Sequence, residues 1–316
     1  MKIVFFGTPD YVLLVLNLLH KTFKDRSMES GIITVVTQKP KPVGRDQKLT
    51  YSPVDTWAYK KDIPVIYGPE KVPPADLGIL AAYGEIVPES AIRNLKFGIL
   101  NIHPSLLPKY RGASPIQAAI AMGEAKTGVS IIKIDELMDH GLVVSQFSED
   151  ILASDTLETL RKRLFERSAE VVVALIPAFT QGKVKLREQN HDEATYTTLV
   201  KKGHGFIPAE YLAACLQGRS LKATWKIPFI KDYSLHPTPY TLDCFIRAMD
   251  PWPGAWTLLR LSASEGQAKR LKILKAHAES LSPKRYTLIL DEVQLEGKNP
   301  VSWEEFKRGY PIAALV

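Results

Sequence analysis

Two polar side chains with complementary chemistry lie at the end of a short apolar run near residue 100. The run Ile99–Ile102 predicts a buried strand. If this strand continues through His103, Asn101 and His103 point to the same face, about 6.5 Å apart along the chain. An amide donor and an imidazole at such a place could polarise a carbonyl group and handle charge. The same side chains could instead cap the following loop through backbone hydrogen bonds, and polarity and spacing leave both interpretations open.

A second candidate is the sequence Asp139-His140-Gly141, which lies between two strand-like runs. A carboxylate at position 139 could orient His103 and favour its charged form. An aspartate in such a loop is also typical of a turn, and sequence spacing does not show that Asp139 and His103 meet. We interpret His140 as a solvated neighbour. A metal site formed by His103, Asp139 and His140 is disfavoured because no HExxH-type spacing accompanies them, so we predict no metal.

Two further segments bear on phosphate binding. The turn after the first apolar run contains a single glycine, Gly7, which disfavours a dinucleotide site or a P-loop. Residues 38–48 carry four basic residues and one acidic residue. Such a segment could be a disordered, solvated loop, or it could be a mobile arm for a nucleic-acid backbone.

The elements that must position these residues alternate between strand and helix in the first half of the chain. The predicted strands are Ile3–Phe6, Ile32–Val36, Leu77–Ala82 and Ile99–Ile102, and the predicted helices are Tyr11–Leu19 and Asp55–Lys61. This alternation predicts an α/β fold with a Rossmann-like, doubly wound, mostly parallel sheet. Ligands bind such sheets at the carboxyl ends of the strands, where Asn101 and His103 lie. Two further strands, Gly128–Ile134 and Leu142–Phe147, and a long helix, Thr156–Phe179, follow.

The second half of the chain has a different pattern. Apolar runs at Ala223–Ile230, Ala255–Leu261, Leu271–Ala276 and Tyr286–Leu290 are separated by turn residues, which predicts a small OB-like β-barrel. We therefore predict a catalytic domain over residues 1–188, a linker over 189–207 and a C-terminal barrel over 208–316. We interpret the tryptophans of this barrel as packing residues, with base stacking by one of them as the alternative.

Composition and charge narrow the functional class. The chain has 316 residues, of which 45% are apolar and 24% charged, and a formal net charge of +7. These values exclude a disordered or collagenous chain and suit an anionic partner. We find no apolar run of about 18 residues that would predict a membrane span. With only two cysteines, a reducing cytoplasm is the expected location.

The stretch Asn101–Gln117 resembles the signature of the folate-dependent formyltransferases. Similarity to one branch of this family extends to other segments, namely Phe6–Pro9, Pro42–Thr50, Ser52–Val54, Ala82–Gly84, Pro251–Trp256, Lys272–Ala276 and Glu304–Tyr310. The resemblance therefore runs nearly from end to end.

The resemblance implies an enzyme that transfers a formyl group from 10-formyltetrahydrofolate to the amino group of methionine on initiator methionyl-tRNA, for translation initiation. It implies that Asn101, His103 and Asp139 are catalytic and that the basic C-terminal domain holds the RNA backbone. The implied folate-binding residues are Leu80, Ala81, Ala82, Tyr83, Ser105, Leu106, Leu107 and Pro108, and the implied tRNA-binding residues are Lys41, Arg45 and Lys48. We expect a monomer.

Three other functions remain open at this point. A sugar-nucleotide formyltransferase would use the same folate donor and catalytic set but would not need the 38–49 loop. A purine-pathway formyltransferase would usually be a single domain with a phosphate-binding turn near Thr8. A catalytically weak RNA-binding protein on the same scaffold is the third, and the intact Asn101, His103 and Asp139 argue against it.

Overall fold

The computed structural model describes residues 1–24, 30–44, 46–261, 268–282 and 285–310, with the backbone of residues 314–315. The chain divides into two compact units, each made of several segments. The N-terminal unit comprises Met1–Arg111, Thr127–Glu149 and Arg161–Thr195, and the C-terminal unit comprises Gly112–Lys126, Asp150–Leu160 and Tyr196–Val316. Two segments from the middle of the sequence therefore belong to the C-terminal unit.

The strands and helices of the first part of the chain alternate as expected for an α/β fold. The strands are β1 (Lys2–Gly7), β2 (Gly31–Val36), β3 (Lys41–Val43), β4 (Lys48–Thr50), β5 (Val65–Ile66), β6 (Leu77–Ala81), β7 (Ile99–His103), β8 (Arg111–Gly112), β9 (Lys126–Lys133) and β10 (Leu142–Asp150). The helices are α1 (Leu13–Phe23), α2 (Pro53–Tyr59), α3 (Glu89–Arg93), α4 (Pro115–Ala121) and α5 (Leu157–Thr180).

A seven-stranded sheet forms the core of the N-terminal unit, in the order β10-β9-β7-β6-β1-β2-β5. The pairs from β7 through β6, β1 and β2 to β5 are parallel, whereas β9 runs antiparallel to β7. The interior strand β1 is apolar from Ile3 to Phe6, and these four residues are fully buried. Such uninterrupted apolar strands are typical of parallel sheets that are covered on both faces.

The first residues of helices α1 and α2 differ from those that the apolar pattern predicts, because local hydrogen bonding and turns set the helix starts. Helix α2 begins at Pro53 rather than Asp55, because the hydroxyl of Ser52 accepts a hydrogen bond from the Asp55 amide at 3.0 Å and proline suits the first helical position. Helix α1 begins at Leu13, two residues later than predicted, because Asp10–Val12 form a short 3₁₀ turn.

The C-terminal unit has an antiparallel sheet and several helices. Its strands are β11 (Tyr196–Thr197), β12 (Trp225–Lys226), β13 (Ser234–Leu235), β14 (Ala255–Arg260), β15 (Lys269–Ser282), β16 (Arg285–Leu295), β17 (Val301–Ser302) and β18 (Ala314–Leu315), and its further helices are α6 (Ala209–Leu216), α7 (Pro239–Met249) and α8 (Trp303–Gly309). The sheet order is β17-β16-β15-β14-β18. No pairing between the outer strands β17 and β18, which would close a barrel, occurs among the described residues.

The predicted fold class, a mostly parallel Rossmann-like sheet followed by a C-terminal β-domain, is confirmed. One element prediction is wrong: Ala223–Ile230 is not a continuous strand, and only Trp225–Lys226 has strand geometry. Ile227, Phe229 and Ile230 are buried in the loop that follows, so their apolar character reflects burial rather than a strand. Among the described residues, no helix is both long and apolar enough to cross a membrane.

Candidate active site

Asn101 and His103 lie at the carboxyl end of β7, which extends one residue further than the apolar run and includes His103. Both residues are buried, with 9% and 4% of their surfaces exposed. Their alternation places both side chains on one face of the sheet. In the parallel neighbour β6, Leu80 is paired with Asn101, and in β9, Ser130 is opposite His103. The two polar side chains are therefore flanked by strands on both sides.

The structure brings Asp139 to these two side chains. The Asn101 Nδ2 donates a hydrogen bond to Asp139 Oδ1 at 3.2 Å, and the His103 Nδ1 lies 3.4 Å from the same oxygen. The other ring nitrogen of His103, Nε2, lies 3.1 Å from the carbonyl oxygen of Tyr110. Each ring nitrogen thus faces an acceptor, and a ring that carries both protons can donate to both. The result is one carboxylate oxygen shared by an amide and an imidazole.

The turn that carries Asp139 is held in place by hydrogen bonds to its backbone carbonyl groups. Asp139 has a φ of +50°, in the left-handed region that aspartate tolerates better than most residues. The Gln189 Nε2 donates to the carbonyl oxygens of Asp139 and Gly141, at 2.9 and 2.8 Å. A Cβ at position 141 would lie 2.0 Å from the carbonyl oxygen of Lys133, so this position requires glycine. Asp139 is a turn residue and a neighbour of His103 at once, so the two interpretations from the sequence do not compete.

The predicted folate-binding residues Ser105 to Pro108 form a braced loop directly after β7. The Ser130 hydroxyl accepts a hydrogen bond from the Leu107 amide at 3.0 Å and donates to the Ser105 carbonyl at 2.7 Å. The Gln146 Nε2 donates to the Leu107 carbonyl at 3.1 Å. Within this loop, Ser105 and Leu107 are buried, while Leu106 and Pro108 are half-buried. Strands β9 and β10 thereby fix the backbone of this loop.

The second predicted folate segment, Leu80 to Tyr83, follows β6. Leu80 and Ala82 are half-buried, whereas Ala81 and Tyr83 are buried. The Tyr83 ring packs edge-on against Phe6, and its hydroxyl donates to Glu85 at 2.9 Å. Burial raises the pKa of the Tyr83 phenol above its ordinary value. The side chain of Tyr83 thus faces the hydrophobic core, so a ligand on this segment would meet its backbone.

Two of the three predicted tRNA-binding residues, Lys41 and Lys48, lie on a short hairpin. Strands β3 and β4 pair antiparallel, with Lys41 opposite Thr50 and Val43 opposite Lys48. The side chains of Lys41 and Lys48 are exposed, and the Lys41 Nζ donates to Gln38 at 2.9 Å. Arg45, the third residue predicted to bind tRNA, lies outside the described residues. The two strands give ordered structure to a segment whose composition is also compatible with disorder.

Sequence reasoning missed two buried residues beside the site. Arg111 and Gln189 are only 3% and 7% exposed. The Arg111 Nη2 donates to Gln189 Oε1 at 2.7 Å and lies 2.8 Å from His191 Nδ1. Arg111 lies within the stretch that carries the family resemblance, which is a signal that could have drawn attention to it, whereas nothing in the local sequence marks Gln189.

His140 takes no part in these contacts. Its Nδ1 lies 2.6 Å from a carboxylate oxygen of Asp135, and its ring stacks on His191 with 3.9 Å between centroids. The side chain is 32% exposed, in line with the interpretation as a solvated neighbour. Among the residues that the structure describes, no group of three or more histidine, cysteine, aspartate or glutamate side chains could hold a metal ion.

The amide of Asn101, the imidazole of His103 and the carboxylate of Asp139 thus meet at the carboxyl end of β7. The sequence pattern named Formyl transferase matches residues 1–176, and the pattern named Formyl transferase, C-terminal domain matches residues 236–286. The first match covers more than half of the chain. The chain belongs to the formyl transferase family.

The relatives of this chain within the family include proteins named methionyl-tRNA formyltransferase. A protein of Chloroflexus aggregans named methionyl-tRNA formyltransferase is 35% identical over 272 residues, which span 82% of this chain and 77% of the relative. A protein of the same name from Wolbachia pipientis is 31% identical and covers 98% of this chain and 96% of its own length. Similarity to proteins of this name therefore extends over both parts of the sequence.

Solved structures support the fold. An N-formyltransferase from Helicobacter canadensis, in complex with folinic acid and dTDP-3-aminofucose, superposes with a TM-score of 0.63 at 17% identity, covering 93% of this chain and 95% of its own. The methionyl-tRNA formyltransferase from Clostridium thermocellum superposes with a TM-score of 0.51 at 18% identity, covering 93% of this chain and 98% of its own. At such identities the likeness establishes the fold alone.

Proposed function

We propose that this protein is an enzyme that transfers the formyl group of 10-formyltetrahydrofolate to the amino group of methionine on initiator methionyl-tRNA. The product serves translation initiation. The observation that carries the proposal is the convergence of Asn101 and His103 on one oxygen of Asp139, at 3.2 and 3.4 Å, in a chain of the formyl transferase family. The names of the full-length relatives support the choice of acceptor.

The three side chains have distinct roles in the proposed reaction. The neutral amine of methionine attacks the formyl carbon, a carbon–nitrogen bond forms, and the formyl oxygen gains negative charge. The Asn101 Nδ2 carries a second hydrogen besides the one donated to Asp139, and this hydrogen stabilises the oxyanion. His103 contributes its positive charge, and its Nδ1–H can be shared with the oxyanion because 3.4 Å is long for a hydrogen bond to Asp139.

Proton transfer completes the reaction. The attacking amine must lose a proton, and N10 of the folate must regain one as the old carbon–nitrogen bond breaks. Asp139 accepts the proton, directly or through a water molecule, and returns it to N10. Burial supports this role, because the Asp139 side chain is only 12% exposed and is held beside two donors.

The folate lies against residues Leu80 to Tyr83 and Ser105 to Pro108 in this proposal. Two features support it: Leu80 is the register partner of Asn101, and the 105–108 loop is braced by Ser130. These features place a fixed backbone and apolar side chains at the catalytic end of the sheet. Backbone groups of this kind can recognise the edge of a pterin.

The hairpin β3–β4 binds the transfer RNA through Lys41, Arg45 and Lys48. The exposure of Lys41 and Lys48 supports this assignment, since exposed basic side chains can contact phosphate. We also propose a catalytic domain over residues 1–188, a linker over 189–207 and a C-terminal domain over 208–316 that contributes phosphate contacts. We propose that the protein is a monomer. A cytoplasmic location is supported by the two buried free thiols, Cys215 and Cys244.

A competition among acceptors tests the proposal. The protein is incubated with 10-formyltetrahydrofolate and one of three acceptors: methionyl initiator tRNA, methionyl elongator tRNA, or an amino-sugar nucleotide. We expect formylmethionine to form on the initiator tRNA far faster than on the elongator tRNA. Formylation of the amino sugar with none of either tRNA would replace this function by that of a sugar-nucleotide formyltransferase.

A further inference from the structure

We propose that Gln189 is a positioning residue, oriented by Arg111, which holds the Asp139 carboxylate in place for Asn101 and His103. The proposal rests on the proposed function in one respect, the use of Asp139 in the reaction. Gln189 contacts the turn at two backbone carbonyl oxygens, those of Asp139 and Gly141, and Arg111 contacts Gln189. Their effect passes through the backbone of the turn.

Gln189 forms two hydrogen bonds with this turn. Its Nε2 donates to the carbonyl oxygens of Asp139 and Gly141, at 2.9 and 2.8 Å, and so uses both of its hydrogens. These two carbonyls bracket His140 and define the direction of the chain through the turn. Because Gln189 is only 7% exposed, water has little access to compete for them.

Asp139 needs such support because its backbone is in an uncommon conformation. Its φ of +50° is less favourable for an aspartate than an extended or helical one, so a free turn would relax away from it. A change in this angle rotates the direction of the side chain and moves Oδ1 relative to Asn101 Nδ2 and His103 Nδ1. Contacts of 3.2 and 3.4 Å do not survive a displacement of an ångström in the wrong direction.

Arg111 selects the orientation of the Gln189 amide. Its Nη2 donates to Gln189 Oε1 at 2.7 Å. A guanidinium offers only donors, so it requires the oxygen of the amide and leaves the NH2 group for the carbonyls of Asp139 and Gly141. The reversed amide would place two donors together at one end and three acceptors at the other. Arg111 is itself 3% exposed, so this preference is not relaxed by solvent.

The first test separates positioning from folate binding. We expect Gln189→Ala to lower kcat by about tenfold to a hundredfold, the scale of a catalytic group displaced by about 1 Å, and to leave the KM for 10-formyltetrahydrofolate within about twofold. Gln189→Glu keeps the length and the oxygen toward Arg111 but cannot donate to both carbonyls, and we expect a similar loss. The Gln189→Glu variant also keeps the test possible if Gln189→Ala folds poorly. Asn94→Ala, which removes an amide-to-carbonyl bond to Val72 in the same unit, is the matched control and should retain its kcat.

The second test asks whether the effect of Gln189 passes through the Asp139 carboxylate. In an Asp139→Asn background, adding Gln189→Ala should cost less than about twofold more in kcat, because the group that it positions is already lost. Fully additive losses in this double-mutant cycle would mean an independent structural role and would overturn the proposal.

The third test needs no turnover. In protein labelled with ¹⁵N-histidine, the ring signals of His103 are assigned by their loss in His103→Gln. We expect both Gln189 variants to shift the Nδ1 signal in the direction seen for Asp139→Asn, and Asn94→Ala to leave it unchanged. An unmoved signal in both Gln189 variants would overturn the positioning role. If the wild-type protein fails to formylate methionyl-tRNA, the proposed function fails, while this signal still decides the role of Gln189.

Discussion

Asp139→Asn is the most informative single substitution, because it removes one charge with almost no change in shape. The carboxylate oxygen Oδ1 lies 3.4 Å from His103 Nδ1 and 3.2 Å from Asn101 Nδ2. An asparagine can keep its oxygen at the same place and still accept from Asn101. It cannot offset the positive charge that the proposed reaction assigns to His103, and it cannot take the proton of the attacking amine.

Coulomb's law sets the ceiling of the effect. At the 3.4 Å between His103 Nδ1 and Asp139 Oδ1, two unit charges in an effective dielectric of about 20 interact by about 5 kcal/mol. Since about 1.4 kcal/mol corresponds to tenfold in rate, the ceiling is roughly three and a half orders of magnitude. Loss of a positioned proton acceptor alone contributes about a hundredfold or more. We therefore expect the single-turnover rate constant of formyl transfer to fall by between about a hundredfold and a few thousandfold.

The assay is single-turnover formylation of methionyl initiator tRNA with saturating 10-formyltetrahydrofolate. Asp135→Asn is the matched control, because this carboxylate also faces a histidine, His140 at 2.6 Å, but is 42% exposed. Exposed ion pairs contribute little, so this variant should stay within about threefold of the wild type. A rate for Asp139→Asn within tenfold of the wild type, with the fold intact, would refute the assignment of Asp139 to catalysis.

Three further predictions have distinct readouts. Gln146→Ala, which removes the donor to the Leu107 carbonyl, should raise the KM for 10-formyltetrahydrofolate by about twofold to tenfold, the scale of one hydrogen bond, at unchanged kcat. Lys48→Ala and Arg45→Ala should each make the negative slope of log K against log salt for tRNA binding shallower by about 0.7–0.9, if each side chain neutralises one phosphate. Burial raises the pKa of the Cys215 thiol from 9.0 to about 12. The contribution of this thiol to the free energy of unfolding is therefore complete below pH 9 and is lost as the pH rises toward 12. We expect the free energy of unfolding, measured with urea, to fall less steeply between pH 9 and 11 in Cys215→Ala than in the wild type.

Each of these predictions has its own contradicting outcome. An unchanged KM for the folate in Gln146→Ala would remove the braced loop from the folate site. Parallel salt lines for Lys48→Ala, Arg45→Ala and the wild type would mean that the hairpin contacts no phosphate. An identical pH dependence of unfolding in Cys215→Ala and the wild type would show that the thiol titrates alike in the folded and unfolded chains.

Local patterns predicted much of the N-terminal unit. The strands β1, β2, β6 and β7 are short, apolar and bounded by turn residues, and the two-residue period placed Asn101 and His103 on one face. These features depend on neighbours in the sequence, which is why they are legible there. The extension of β7 through His103 follows from its pairing with β9, which sequence does not report.

Local sequence patterns could not predict contacts between residues that are far apart in the sequence. Nothing local indicates that Gln189 reaches the turn of Asp139, 50 residues earlier in the chain. Helix α7 is a different case, since Thr238 and Pro239 carry the signal of a helix start: the Thr238 hydroxyl accepts from the Thr241 amide at 3.1 Å. We predicted only strands for the C-terminal domain and therefore missed this helix. The assignment of Gly112–Lys126 and Asp150–Leu160 to the C-terminal unit also depends on packing alone.

That last arrangement has a consequence for how the chain is made. Helix α4 belongs to the C-terminal unit, where it packs on α7, yet it leaves the ribosome about 120 residues earlier. At a synthesis rate of about 5–20 residues per second, α7 is made roughly 6–25 s after α4. Until then the apolar residues of α4, which include the buried Ile116 and Ile120, lack the helix on which they pack. During this interval the nascent chain presents a surface suited to chaperones. A premature stop anywhere before α7 leaves that surface uncovered, so we expect truncated products of this sequence to be substrates for proteolysis.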